Sequence, residues 1–189
     1  MKKGLLITII VIVAILLIGG ITVVSTYNGI LTKSEEVEGK FADIDNQLQR
    51  RANLIPNLVN TVKAYAKQEQ EIFNSVTDAR SKLAGAKTIE DKSNANTELT
   101  NALNRLLVIV ENYPDLKSSQ NYMQLSDELA GTENRISQAR RQYNEAVKEY
   151  NLSIRKFPAS IIAGMFNFDK KPYFEAEEGS NKVPEVNFD

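Results

Sequence analysis

The chain has 189 residues with 23 basic and 24 acidic side chains, a formal net charge of -1, no cysteine and no histidine. That length allows one domain and an anchor, and the balanced charge argues against nonspecific nucleic-acid binding, which needs a basic face. The absent residues exclude disulfides and thiolate chemistry and remove the usual general base and the commonest metal ligand, so we expect no metal and no cofactor.

The first element is an apolar run at residues 5–24, LLITIIVIVAILLIGGITVV, which contains no charged residue. Twenty residues is about the length that crosses the hydrocarbon core of a bilayer as a helix. The run therefore predicts a transmembrane helix that contacts the lipid bilayer and follows a short flank at residues 1–4. A cleaved signal peptide is the competing interpretation, but its apolar region is usually shorter.

The charges beside this run predict its orientation. Lys2 and Lys3 precede it, and the juxtamembrane connection at residues 25–33 is uncharged up to Lys33. Because basic residues favour the cytoplasmic side, we predict a single-pass cell-membrane protein with a cytoplasmic N-terminus and an extracytoplasmic bundle. A cytoplasmic bundle is the alternative.

Residues 34–157 predict a helical bundle, which begins with a long amphipathic helix from about Ser34 to Leu83 or Ala84. Apolar residues recur there at alternating steps of four and three, with Arg51 and Glu69 as the only interruptions. A period near 3.5 indicates a helix that packs lengthwise on other helices. The apolar positions are Val37, Phe41, Ile44, Leu48, Ile55, Leu58, Val62, Tyr65, Ile72, Val76, Ala79 and Leu83.

Pro56 lies inside this pattern without shifting its register. A proline within a helix removes one backbone hydrogen bond and costs about 3 kcal/mol. Either the helix is continuous and kinked, or it breaks near Asn53 and Pro56 begins a new helix. The unbroken register favours the kink.

Another face of the same helix carries a polar stripe. Its members follow one another at steps of four, three, four and three: Asn46, Arg50, Asn53, Asn57 and Asn60. Asparagine is a poor helix former, so a merely solvated face would favour Glu, Lys or Gln. The stripe is therefore a candidate interaction surface for a partner or a second copy. The structural alternative is a polar seam against a neighbouring helix of the same bundle.

Arg51 occupies a position on the apolar seam. The simplest interpretation is a structural ion pair, because a buried guanidinium needs a carboxylate and hydrogen-bond acceptors. Glu111, Glu128 and Glu133 are the candidate carboxylates.

Two further long helices are predicted. The second runs from about Ile89 to Asn112, after a stop at Gly85 and with Thr88 as N-cap. Pro114 then interrupts the pattern, and Ser118 or Ser119 caps the third helix. The third helix has large seam residues every seven positions, namely Tyr122, Leu129, Ile136, Tyr143, Tyr150 and Phe157. We interpret these tyrosines as core rather than as a ligand platform.

The Phe157-Pro158 pair should end the third helix. Residues 158–168 then form an amphipathic apolar segment, in which Phe157, Ile161, Met165 and Phe168 could line one side of a short helix. That side would cap the bundle, lie on the membrane surface or dock on a partner. Residues 169–189 are rich in acidic residues and predict an extended or disordered tail.

Together these features resemble the LemA family of bacterial membrane-anchored helical proteins over nearly the whole chain. The matching motifs are Tyr27-Asn28, QLQRR at 47–51, LIPNLV at 54–59, VTDAR at 76–80, YPDL at 113–116, ENRI at 133–136, ARR at 139–141, Tyr143-Asn144, Tyr150-Asn151, Phe157-Pro158 and YFE at 173–175. The resemblance implies an all-α fold in which an N-terminal transmembrane helix tethers an antiparallel up-and-down bundle of three to four long helices. If the bundle has four helices, Pro56 would separate two of them. Family descriptions have proposed an extracellular N-terminus, opposite to the orientation predicted from Lys2 and Lys3.

These features predict a non-catalytic scaffold or adaptor for another envelope or membrane protein. The sequence contains no phosphate-binding glycine loop and no nucleophile elbow, and a di-metal carboxylate site of the usual kind needs histidine. We therefore expect no enzyme activity and no small-molecule substrate. A self-associating structural component of the envelope is the alternative, and Gly19-Gly20 would allow close helix approach in a homo-oligomer.

Overall fold

The computed structural model describes residues 2–174, and every regular element in that range is an α-helix. The all-α prediction is therefore confirmed. The helices are α1 (Lys2–Lys63), α2 (Gln70–Gly85), α3 (Ile89–Val110), α4 (Pro114–Lys117), α5 (Gln120–Ser153) and α6 (Ala159–Met165). The predicted tail beyond residue 174 lies outside the described residues.

The first helix begins much earlier than predicted. It includes the apolar run and residues 25–33, so the start near Ser34 is wrong. Residues 25–33 contain no proline, so the backbone hydrogen bonds of the helix continue through them. The apolar side chains of residues 5–18 are exposed, and α1 is the one helix of the described range long and apolar enough to cross a membrane.

The helix also continues through Pro56, so the division at Pro56 that the resemblance implies is not observed. It ends at Lys63 instead, and the predicted continuation to Leu83 is wrong. Residues 64–69 form turns in which the N–H groups of Tyr65 and Ala66 donate to the Val62 carbonyl over 3.0 and 2.9 Å.

The physical reason for this break is burial. After the turn Phe73 is fully buried and Ile72 is not, while Tyr65 is exposed beside buried Ala66. A straight helix would have carried the Glu69 carboxylate into the apolar seam, which is unfavourable without a partner. The turn lets α2 bury Phe73 in its place.

The described chain divides into two compact units. The second comprises residues 41–143 and 173–174, and its buried core draws on α1 to α5 and on Phe174. Its larger buried residues are Ile44, Leu48, Ile55, Leu58, Val62, Phe73, Val76, Leu83, Leu99, Leu103, Leu106, Ile109, Val110, Leu116, Tyr122, Ile136, Tyr143 and Phe174. The Thr88 side chain accepts from the Asp91 N–H at 3.0 Å, and Ser119 Oγ accepts from the Tyr122 N–H at 3.4 Å. These two caps define the starts of α3 and α5.

The first unit comprises residues 2–40 and 144–172. Its buried residues are Ile30 and Val37 of α1, Ala146, Val147 and Tyr150 of α5, Ile154 directly after α5, and Ile162 and Ala163 of α6. α5 ends at Ser153, so Phe157 is not a seam residue as predicted; it is 83% exposed. Turns at residues 154–156 end the helix before the residue preceding Pro158, where helical geometry is disfavoured.

Candidate functional site

The polar stripe is exposed along its whole length. The side chains of Asn46, Arg50, Asn53, Asn57 and Asn60 are all accessible to solvent, so they do not form a buried seam within this chain. Arg50 also borders a shallow groove of about 500 Å³, whose other lining residues, among them Asp127 and Arg135, belong to α5. Amide and guanidinium groups at this spacing offer donors and acceptors toward one side of α1.

Arg51, the neighbour of this stripe, is only 4% exposed. Its Nη1 donates to Asn96 Oδ1 over 2.7 Å and its Nη2 donates to Thr100 Oγ1 over 3.1 Å. Its Nη1 also lies 2.8 Å from Glu133 Oε2. Of the three candidate carboxylates, Glu133 is therefore the one beside Arg51. The guanidinium joins α1 to α3 and α5.

A small cavity of about 170 Å³ lies next to this ion pair. Its polar lining residues are Arg51, Glu133, Asn104 and Ser126, and its apolar lining residues are Leu58, Leu103, Leu107, Leu129 and Ala130. The charges of the pair are already neutralised by each other, so the cavity offers apolar contact rather than acid–base chemistry.

A second interhelical contact depends on Pro56. Proline has no N–H, so the Ala52 carbonyl one turn earlier lacks its usual helical donor. Arg80 of α2 fills the position, with its Nε donating to the Ala52 carbonyl over 2.7 Å. The sequence alone indicated that Pro56 could be a break and did not identify Arg80 as its partner. The signal for such a contact was a proline inside a heptad register that does not shift.

Aromatic residues from distant parts of the sequence meet beside the end of the apolar run. The ring centroid of Tyr27 lies 4.8 Å from that of Phe166 and 5.5 Å from that of Phe168. Phe168 is half-buried, while Phe157, Ile161 and Met165 are exposed. The four residues predicted to share one side are therefore divided, and Tyr27 and Phe166 were not foreseen as site residues.

The segment that follows α6 is extended and fixed to the first unit. Tyr150 Oη donates to the Asp169 carbonyl over 3.0 Å, and the Asn151 amide exchanges two 2.9 Å hydrogen bonds with the Lys171 backbone. Lys171 Nζ donates to the Ser34 carbonyl over 3.2 Å and to Glu38 Oε1 over 3.0 Å. The beginning of the predicted tail is thus held against α1 and α5.

The shifted titratable groups have structural causes. Burial raises the pKa of Tyr143 to about 12, and burial together with the Asp169 charge raises the pKa of Tyr150. A hydrogen bond from Lys33 lowers the pKa of the exposed Glu149 carboxyl. These tyrosines stay protonated near neutral pH, so they supply no general base. The residues that the structure describes contain no group of three acidic side chains placed to hold a metal ion.

Comparison with known proteins gives a family and several relatives. The family model described as LemA family matches residues 40–188. Magnetosome protein MamQ 1 of Paramagnetospirillum magneticum is 28% identical over 82% of this chain and 66% of its own length. MamQ of Magnetospirillum gryphiswaldense is 28% identical over 81% and 66%. Protein LemA of Metamycoplasma hominis is 27% identical over 80% and 69%.

The chain spans 66% of the length of the MamQ relatives, slightly less than two thirds. The family model, in contrast, covers most of the chain and includes α2, α3, α5 and the polar stripe. On that match, the protein is a member of the LemA family.

Proposed function

We propose that this protein is a single-pass, membrane-anchored, non-catalytic scaffold or adaptor that binds another envelope or membrane protein through the polar stripe. The observation that carries the proposal is the exposure of all five stripe residues on α1, the same helix that contains the candidate span. A partner bound at the stripe would be held on a membrane-tethered helix.

The composition of the stripe supports binding rather than solvation. Each asparagine in an exposed helix costs about 0.5 kcal/mol relative to the best helix formers, and the stripe contains four of them. An asparagine side chain offers one acceptor and two donors. Such groups can pair with polar groups of a partner, which would offset the intrinsic cost to the helix.

The arrangement in the membrane is part of the proposal. We infer that residues 5–24 span the bilayer and that the long helices form an antiparallel up-and-down bundle, supported by the contacts of Arg51 with α3 and α5 and by the short α2–α3 connection at residues 86–88. The charges of Lys2 and Lys3 support an extracytoplasmic bundle. The non-catalytic assignment rests on the absence of histidine and cysteine from the sequence.

The test is crosslinking in native membranes with the Asn53→Ala/Asn57→Ala double variant. We expect one foreign crosslinked band for the wild-type protein and its loss in the variant, with helicity by circular dichroism unchanged. The matched control is Asn94→Ala/Asn101→Ala, which removes two exposed asparagines from α3. Equal loss in the control, or reduced helicity in the stripe variant, would mean that the stripe is not a specific binding surface.

Self-association is the second candidate function. Apart from the neighbouring backbone of α1 itself, nothing lies within 4 Å of a Cβ added at Gly19 or Gly20, so a second α1 could approach this part of the span closely. A crosslinked ladder of multiples of the chain mass, removed by Gly19→Ile/Gly20→Ile, would favour this alternative over the adaptor.

A further inference from the structure

We propose that α6 and Phe157, two residues before it, form a second membrane contact, in which Phe157, Ile161 and Met165 lie against lipid in the interfacial layer of the bilayer. This inference rests on the proposed span at residues 5–24 but not on any protein partner. The lipid surface would act as a ligand of the first unit.

The depth of α6 follows from its contact with Tyr27. Residues 5–24 have a helical length of about 30 Å, which matches the hydrocarbon core. Tyr27 is three residues beyond Val24 on the same helix, or about 4.5 Å further along the axis. The headgroup layer is about 5 to 8 Å thick on each side. Phe166, with its ring 4.8 Å from Tyr27, therefore lies at the depth of that layer.

The two sides of α6 differ as expected for a helix lying in an interface. Ile162 and Ala163 are buried in the first unit, whereas Ile161 is 56% and Met165 70% exposed. Positions 161 and 165 are four residues apart, so they share a face. Phe157 adds a ring that is 83% exposed. Such a concentration of exposed large apolar side chains marks a contact surface.

The charges around this apolar surface fit anionic lipid headgroups. Residues 152–172 contain four basic residues but only one acidic residue, Asp169. Lys171 is paired with Glu38, so the charges that can face headgroups are those of the exposed Arg155, Lys156 and Lys170. The chain as a whole has a net charge of -1, so this excess of positive charge is local. Apolar residues bordered by basic residues are typical of segments that lie on a membrane surface.

The first unit also fixes the orientation of α6. Asn167 adopts a left-handed conformation, with φ 56°, immediately after the helix. The Phe168 N–H donates to the Ala163 carbonyl over 2.9 Å and the Phe166 N–H to the Ile162 carbonyl over 3.0 Å. This C-terminal motif turns Phe168 toward Tyr27. The bonds from Tyr150 and Asn151 then hold the following segment.

The experiment uses single-tryptophan variants, because the chain has no natural tryptophan. The full-length Met165→Trp protein is reconstituted in vesicles of phosphatidylcholine and phosphatidylglycerol, with lipids brominated either near the headgroup or near the chain end. Ile161→Trp serves as a second reporter. Both positions are exposed, so the substitutions leave the packing of the first unit intact.

We expect bromine near the headgroup to quench Met165→Trp and Ile161→Trp by at least about twofold, and bromine near the chain end to quench them less, as an interfacial depth requires. Leu16→Trp, in the middle of the span, should show the opposite preference. Gly39→Trp is the matched negative control: the position is exposed and open in the same unit, and it is about 22 Å along α1 from Val24.

The outcomes distinguish the lipid contact of α6 from the membrane anchor at residues 5–24. Quenching of Leu16→Trp without quenching at positions 161 and 165 overturns the α6 contact and leaves the anchor intact. A blue-shifted but unquenched Met165→Trp emission would show that this surface is covered by a second copy of the chain and would also overturn the lipid contact. No quenching of Leu16→Trp overturns the anchor itself.

Discussion

Arg51 shows how one residue can fix the position of a helix. Moving a guanidinium out of water is costly unless a carboxylate and hydrogen-bond acceptors surround it. Here Glu133 supplies the charge, and Asn96 and Thr100 supply acceptors from α3. Because the planar donors have a fixed geometry, α1 can satisfy them in only one register against α3 and α5.

Replacing Arg51 should therefore destabilise the fold strongly. Arg51→Met leaves buried Asn96 and half-exposed Glu133 without this partner, and we expect a loss of about 3 kcal/mol in the free energy of unfolding. The measurement is denaturant unfolding in detergent, followed by circular dichroism. Arg50→Met, on the exposed stripe, is the control and should change stability by no more than about 0.5 kcal/mol. Equal effects of the two variants would contradict a structural role for Arg51.

Tyr143 predicts an alkaline loss of stability. The unfolded chain ionises this tyrosine near pH 10.0, but the folded chain does so only near pH 12, because its hydroxyl is buried. Between these values the unfolded state loses its proton first and is favoured, so stability that is fully present below pH 10 is lost as the pH rises through about 12, to the extent of about 2 kcal/mol. Tyr143→Phe should remove this part of the pH dependence.

Unfolding free energies measured from pH 9 to 12 for the wild type, Tyr143→Phe and the exposed control Tyr65→Phe would test this assignment. The control should retain the wild-type slope. An unchanged slope in Tyr143→Phe would assign the alkaline loss to other groups.

At the level of helices, Pro56 does not end α1. It leaves one backbone carbonyl of α1 available to accept a hydrogen bond from another helix. That carbonyl belongs to Ala52, and Arg80 of α2 donates to it. The proline thus creates a hydrogen-bonding site on the side of α1 that faces α2. The chain reversal at residues 64–69 brings Arg80 to this site.

A double-mutant cycle should reveal this dependence. Arg80→Met should cost about 1.5 to 2 kcal/mol in the wild-type protein, the magnitude of a hydrogen bond from a charged donor. In the Pro56→Ala background the restored N–H supplies the Ala52 carbonyl, and the same change should cost less by about 1 kcal/mol. Thermal and denaturant unfolding of the four proteins gives the coupling. Additive effects would mean that Arg80 stabilises α2 independently of Pro56.

The residue patterns in the sequence predicted which segments are helical better than they predicted where each helix begins and ends. Ile44, Leu48 and Leu58 are buried as expected, because a repeat near 3.5 is a property of one helix face. The break after Lys63 contains neither glycine nor proline, and the burial of Phe73 decides it. Such a contact depends on residues far away in sequence, so propensity could not reveal it.

The candidate site, like the helices, could be predicted only in part from the sequence. The spacing of the polar stripe is visible in the sequence, but the choice of Glu133 over Glu111 and Glu128 as the neighbour of Arg51 is not. All three carboxylates lie beyond α2, and only the packing of α5 on α1 selects one. The contact of Tyr27 with Phe166 joins opposite ends of the chain and has no local sequence signal.

For the whole molecule, the continuity of α1 has a consequence for binding. In the proposed function, a partner that is itself in the membrane would meet the stripe on a helix that also carries the proposed span. Confinement of both molecules to one bilayer would raise their effective concentration, so a weak set of amide contacts would suffice for association. The side of the membrane that faces the stripe then limits which partners are available.

That side can be measured at Lys87, an exposed residue in the α2–α3 connection. The chain has no cysteine, so Lys87→Cys places one thiol on the bundle, and Gly4→Cys places one before the span without removing Lys2 or Lys3. Because basic residues stay in the cytoplasm, a membrane-impermeant maleimide should label Lys87→Cys in intact cells and Gly4→Cys only after lysis. One span requires opposite results at the two sites. The reverse pattern would overturn the predicted orientation and restrict the partners of the stripe to cytoplasmic and inner-surface proteins.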